Sequence, residues 1–126
     1  MNIENFYQAL DNFFMEKKID KAELFLKDTL SEAEAAEDFG LIIAACNELG
    51  GLYRVLSRYD EGMPLYEKAL ESLRRIGGAE SENYATTLIN YATILSMSGR
   101  HEEVLDKYKE VMRILMRQCF SAGSFR

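Results

Sequence analysis

The sequence predicts an all-α fold, a stack of three helix pairs. Three observations lead there. A single proline and eight glycines in 126 residues leave long stretches without a helix breaker. Apolar residues recur at three- and four-residue intervals in six segments, the spacing that gathers side chains on one face of a helix. The segments also repeat in pairs: three units align from Ile3, Ile43 and Ala85, in steps of 40 and 42 residues.

The first helix is expected from Ile3 to about Met15, with Phe6, Leu10, Phe13 and Phe14 on one face, and Lys17-Lys18 breaks it. Asp20 is expected to cap the second helix, because a carboxylate there accepts hydrogen bonds from amides that the first turn leaves unpaired. Ala22, Leu26 and Leu30 then point inward. The far end of this helix, with Asp28, Glu32, Glu34, Glu37 and Asp38, reads as a solvated face, since negative charge at a helix C-terminus is mildly unfavourable. Gly40 is the expected stop, and a third helix runs from about Leu41 to Ser57. Gly50-Gly51 in its middle costs about 1 kcal/mol per glycine relative to alanine, which close contact with a neighbouring helix would offset. A fourth helix is expected from near Asp60 to Ile76, with Pro64 in its first turn, where a missing amide hydrogen matters least. Gly77-Gly78 ends it. Ser81 caps a fifth helix over Glu82 to Met97, with Tyr84, Leu88, Tyr91 and Leu95 on one stripe. After the turn Ser98-Gly99-Arg100, a sixth helix turns Val104, Tyr108, Val111 and Leu115 inward and ends near Gln118. Residues 119–126 are expected to fray.

Laid over one another, the first helices place Phe6, Cys46 and Leu88 at one bulky position, and Phe13, Tyr53 and Leu95 at another. Between them fall the pairs Ala9-Leu10, Leu49-Gly50 and Tyr91-Ala92. In the second helices a small-residue slot holds Ala22, Gly62 and Val104, followed by Leu26, Tyr66 and Tyr108, then Thr29, Ala69 and Val111. This pattern is sharpest in the middle unit, through Leu49-Gly50, Tyr53, Tyr59-Asp60-Glu61, Gly62, Tyr66 and Ala69. It resembles the tetratricopeptide repeat, a helix-turn-helix unit. The step is longer than the ~34 residues of the common form. Pro64-Leu65-Tyr66 and Ala85-Thr86-Thr87-Leu88 resemble the lengthened subtype of about 42 residues found in kinesin light chains. The resemblance implies a right-handed superhelical stack in a single domain over residues 1–126, with units at about 3–39, 41–77 and 82–118. Leu10, Thr29 and His101 depart from the small, small and aromatic residues usual at their places.

The net charge of −6 is unevenly spread, −6 over residues 1–42, −2 over 43–84 and +2 over 85–126. Such an acidic chain lacks the electrostatic footprint of a nucleic-acid binder. No apolar run approaches the ~20 residues of a membrane span, and no signal peptide is recognisable, so a soluble cytoplasmic protein without a membrane partner is expected. Cys46 and Cys119 lie far apart, with neither metal-ligand spacing nor a disulfide framework. His101 is the sole histidine, so no histidine base and nucleophile can pair within one chain. Phosphate-loop spacings are absent as well. No catalytic residue, metal or cofactor is expected, and the chain does not read as an enzyme.

The resemblance implies a concave groove lined by the first helix of each unit. Its candidates here are Tyr7, Asp11, Phe14, Asn47, Glu48, Gly51, Arg54, Thr86, Asn90, Thr93 and Met97. Asn47 and Asn90 stand out, because a carboxamide presents both a donor and an acceptor to a peptide backbone. No lysine or arginine occupies the places where some relatives clamp a terminal carboxylate. Asp11 and Glu48 against Arg54 favour a protein or peptide ligand that is neutral or basic. No capping helix is predicted after Gln118, which leaves Leu105, Met112, Leu115 and Met116 uncovered, and an apolar patch of that kind marks an interface. The chain is therefore expected to be a protein-interaction scaffold. The alternatives are a homo-oligomeric assembly module working through the last helix, or a regulatory fragment of a longer array.

Overall fold

The computed structural model describes residues 1–121 as six helices: α1 (Ile3–Met15), α2 (Ile19–Ala35), α3 (Phe39–Val55), α4 (Tyr59–Arg75), α5 (Glu82–Met97) and α6 (His101–Ser121). No strand occurs among the described residues, and the fold is an all-α helical repeat.

One turn geometry joins all the helices. Each connection holds one residue in the left-handed region: Lys17 (φ 57°), Glu37 (φ 52°), Ser57 (φ 59°), Gly77 (φ 77°) and Gly99 (φ 85°). The next amide folds back onto the preceding helix, as in Lys18 N to Phe13 O at 2.9 Å, Asp38 N to Ala33 O at 2.9 Å and Arg100 N to Leu95 O at 2.8 Å. These closures satisfy carbonyls that the helix ends would leave orphaned. Glycine adopts the conformation freely, whereas Lys17, Glu37 and Ser57 adopt it at a cost of about 1–2 kcal/mol each.

Five sequence expectations are corrected. Asp20 lies inside the first turn of α2, and Lys18 is the cap residue, whose side chain makes no capping bond. Gly40 does not stop α2, which ends two residues before the left-handed Glu37. Gly40 belongs to α3, whose true cap is Asp38, accepting from Leu41 N at 3.2 Å. Pro64 is the sixth residue of α4 rather than in its first turn. It therefore removes the bond that residue 64 would give the Asp60 carbonyl, at an exposed position where water can take that carbonyl. On α6 the inward row is the half-buried Val104 with the buried Val111 and Ile114, whereas Tyr108 and Leu115 are 43% and 39% exposed. The inward stripe is rotated by about one residue, and among the described residues no further helix packs on its other edge. α6 also runs past Gln118 through Ser121, so Cys119 and Phe120 are helical. Residues 122–126, the rest of the expected frayed tail, lie outside the described residues.

Packing holds consecutive helices together, and α3 also touches both α1 and α5. The backbones of α2, α4 and α6 stay apart, with Lys68 Nζ of α4 reaching Glu34 Oε2 of α2 at 3.0 Å, and the first helices of the pairs form one continuous wall. One apolar cluster joins Phe6 and Leu10 of α1, Leu26 and Leu30 of α2, and Leu49 and Tyr53 of α3. A second joins Tyr66 and Leu70 of α4, Leu88 and Leu95 of α5, and Ile114 of α6.

A polar tie reinforces the joint between α2 and α3. Tyr53 Oη donates to Glu23 Oε2 at 2.8 Å, and Arg58 donates to Glu23 Oε1 at 2.9 Å. The Arg58 guanidinium holds the Glu23 carboxyl well below the usual carboxylate range, at about 2. Cys46 is buried in α3, and burial pushes its thiol up to about 12, so it behaves as a small apolar side chain.

Candidate functional site

The wall formed by α1, α3 and α5 encloses a depression of about 470 Å³. Two local devices set its walls. Asp38 caps α3, and Gly40 in the following turn keeps the backbone bare at the rim, its nearest neighbour being Asp38 Oδ1, 3.8 Å from where a Cβ would stand. Ser81 starts α5 by accepting from Tyr84 N at 3.1 Å while its hydroxyl donates to Gly78 O at 2.6 Å, which fixes the angle of entry.

Five of the sequence candidates meet in this depression: Tyr7 from α1, Asn47 and Glu48 from α3, and Thr86 and Asn90 from α5. Asn47 is the most constrained of them. Its Nδ2 donates to Ile43 O at 3.1 Å and to Thr87 Oγ1 at 3.2 Å. The Ile43 carbonyl can only accept, so the orientation of the amide is settled. Its Oδ1 is buried and has no donor within the protein. A buried acceptor left in that state costs about 1–3 kcal/mol, which a donor in the depression relieves only if the carboxamide turns to meet it.

The α1–α3 side is negative. Burial, and then the neighbouring Asp11 carboxylate, raise the pKa of Glu48 above the ordinary range. Burial and then Glu48 raise Tyr7 as well. The Asp11 charge thus adds to the burial that disfavours ionisation of the half-buried Glu48, and a cation placed beside the two removes that added penalty.

The remaining candidates fall outside the depression. Asp11 is exposed on α1 and acts on the site through its charge on Glu48. Phe14 is half-buried and packs against the first apolar cluster. Arg54 and Gly51 lie farther along α3 near the Tyr66 hydroxyl, whose pKa the Arg54 charge lowers against a larger rise from burial. Thr93 turns its hydroxyl back to Ile89 O at 2.9 Å, and Met97 is half exposed at the end of α5.

Thr87 was missed by sequence reasoning. It is 2% exposed, yet it fixes the Asn47 carboxamide from the neighbouring helix pair. The repeat alignment pairs equivalent positions, and this bond joins positions 40 apart where the local step is 42, so superposition alone does not bring them face to face.

A family model described as Tetratricopeptide repeat matches residues 41–117, from α3 into α6. No curated protein matches the chain.

Proposed function

We propose that this chain, which belongs to the tetratricopeptide repeat family, captures a segment of another protein in the depression between α1, α3 and α5. Repeats of this family generally mediate protein–protein interaction. The observation that carries the finer reading is the Asn47 carboxamide, with Nδ2 spent on Ile43 and Thr87 and Oδ1 buried without a donor. A backbone N–H of an extended segment suits it once the carboxamide turns toward the depression, and Asn90 across the depression offers a second carboxamide to the same backbone. The pairing of Asp11 with Glu48 favours a segment that carries a basic side chain at the α1–α3 side.

The reading is of a non-catalytic scaffold working in the cytoplasm without nucleic acid or membrane. The acidic net charge supports the first exclusion. For the second, no helix among the described residues is long and apolar enough to cross a bilayer. The same proposal takes residues 1–126 as one domain of three units in a right-handed superhelix. It assigns them to the lengthened subtype that kinesin light chains carry, supported by the 42-residue step and by Pro64-Leu65-Tyr66 and Ala85-Thr86-Thr87-Leu88.

Panning a random-peptide library against the protein tests the site. Bound peptides are expected to be enriched in lysine and arginine. A variant with Asn47→Ala and Asn90→Ala is expected to bind them at least about tenfold more weakly, roughly 1.4 kcal/mol, with an unfolding midpoint that stays high enough to keep it folded. Peptides held equally well by the folded double variant would place capture elsewhere on the surface.

A further inference from the structure

We infer that Thr87 is a latch on the depression: it holds the Asn47 carboxamide turned away from a captured segment, and capture requires that hold to be released. The inference rests on the proposed capture of a segment between α1, α3 and α5. It makes Thr87 a positioning residue that acts through Asn47 and sets how tightly the site binds.

The held state is closed to a ligand at both ends of the carboxamide. Nδ2 has two protons, and it donates to Ile43 O at 3.1 Å in its own helix and to Thr87 Oγ1 at 3.2 Å on α5. Oδ1 is buried and meets no donor. Yet the residue as a whole is half-buried and lines the opening. The last torsion of an asparagine is broad and roughly two-fold, so the amide group can turn while the backbone stays in place. Among the described residues, the bond to Thr87 is the one side-chain hydrogen bond between α3 and α5.

Release costs different amounts at the two acceptors. Ile43 O lies inside α3, where it keeps the helical bond from the backbone amide of residue 47. Thr87 is 2% exposed, so water does not replace the donor its hydroxyl loses. The hydroxyl has one recourse, to turn its own proton to the carbonyl one turn back, as Thr93 does with Ile89 O at 2.9 Å on the same helix. Release therefore takes about the worth of one hydrogen bond from whatever the ligand supplies. A segment that offers Asn47 a single donor exchanges one bond for another and gains nothing there. A segment that also reaches Asn90, or the Asp11 and Glu48 side, gains from those contacts, so Thr87 biases the site toward segments that make several contacts at once.

The test compares peptides selected by random-library panning on the native chain and on Thr87→Val, with their affinities measured by titration calorimetry. Valine keeps the shape of threonine at this buried place and removes the oxygen. The free protein then loses the bond, whereas the complex has already given it up. Thr87→Val is expected to bind the peptides about fivefold more tightly, and Thr87→Ala, which removes the same oxygen, should shift affinity in the same direction. Thr87→Ser keeps the hydroxyl and should restore the native affinity. In an Asn47→Ala background the Thr87→Val change should have no effect, since nothing is left to hold. A purely structural Thr87 gives the opposite sign, because a looser α3–α5 wall weakens capture. If Asn47→Ala weakens capture but loss of the Thr87 hydroxyl does not strengthen it, or strengthens it equally without Asn47, the latch is overturned and the proposed function stands. Peptides indifferent to the Asn47 and Asn90 changes, or no binders from either protein, would overturn both.

Discussion

Two seams of this molecule are built from neighbouring helices and end in opposite states. At the crossing of α3, α4 and α5 the chain closes to backbone distance. A Cβ on Gly50 would stand 2.9 Å from the Tyr66 ring, and one on Gly62 would stand 2.6 Å from Ile94 Cδ1 and 3.3 Å from the Gly50 carbonyl. Along α1, α3 and α5 the facing residues are Tyr7, Asn47, Glu48, Thr86 and Asn90, and the seam stands open by about 470 Å³. The side chains at the contact set helix separation: a glycine lets a ring lie on the backbone, whereas a carboxamide or carboxylate needs room and a partner. The closed seam therefore carries stability, and the open one is the seam proposed for recognition.

The largest effect is expected at the closed seam. Gly50→Ala and Gly62→Ala should each lose about 1–3 kcal/mol of unfolding free energy, read from urea denaturation. The Tyr66 ring is 1% exposed and stacks on Tyr91 at 6.3 Å between centroids, so it cannot retreat. Next in size is Gly51→Ala, one residue along the same helix. There the nearest atom to a new Cβ is Tyr66 Oη at 3.9 Å, so the change should gain about 0.5–1 kcal/mol from helix propensity alone. If Gly51→Ala were to cost as much as Gly50→Ala, the contrast between the two seams would collapse into a general intolerance of α3.

The smallest effect belongs to the open seam. Burial and Asp11 raise the folded-state pKa of Glu48, so its contribution to stability is fully present below the ordinary carboxylate pKa and is lost as pH rises through the folded value. Glu48→Gln keeps the side chain neutral throughout. It should therefore gain no more than about 0.5 kcal/mol at neutral pH, because a half-buried site is screened by solvent. The gain should fade below about pH 4, where both proteins carry a neutral side chain. Thermal unfolding of the two proteins across that range measures it, and a difference independent of pH would remove the charge argument.

Much of the architecture is legible in the residues themselves. The apolar rows of α1 and α5 are local, and so are the Ser81 cap and the left-handed glycines 77 and 99. Gly50 declared a close neighbour by its cost inside a helix, although the same reasoning applied to Gly51 finds no tight contact. The breaks at Lys17-Lys18 and Ser57 are legible too, whereas Glu37 gives no sign of its positive φ. That is why Gly40 drew the α2 boundary away from Glu37. Among the groove candidates, the family resemblance selected a face of each first helix but not which residues along it come together. Tyr7, Asn47, Glu48, Thr86 and Asn90 converge, whereas Phe14, Arg54, Thr93 and Met97 are not among the lining residues.

The sequence by itself determined six helices in three related pairs, because helical periodicity and turn-forming residues act over a few neighbours and need no distant partner. Tertiary structure alone decided that the Asn47 carboxamide is held by Thr87 with its oxygen left over, and that the inward row of α6 runs through Val111 and Ile114. Both follow from which surface a helix meets across the stack, and that is a property of packing between segments some forty residues apart.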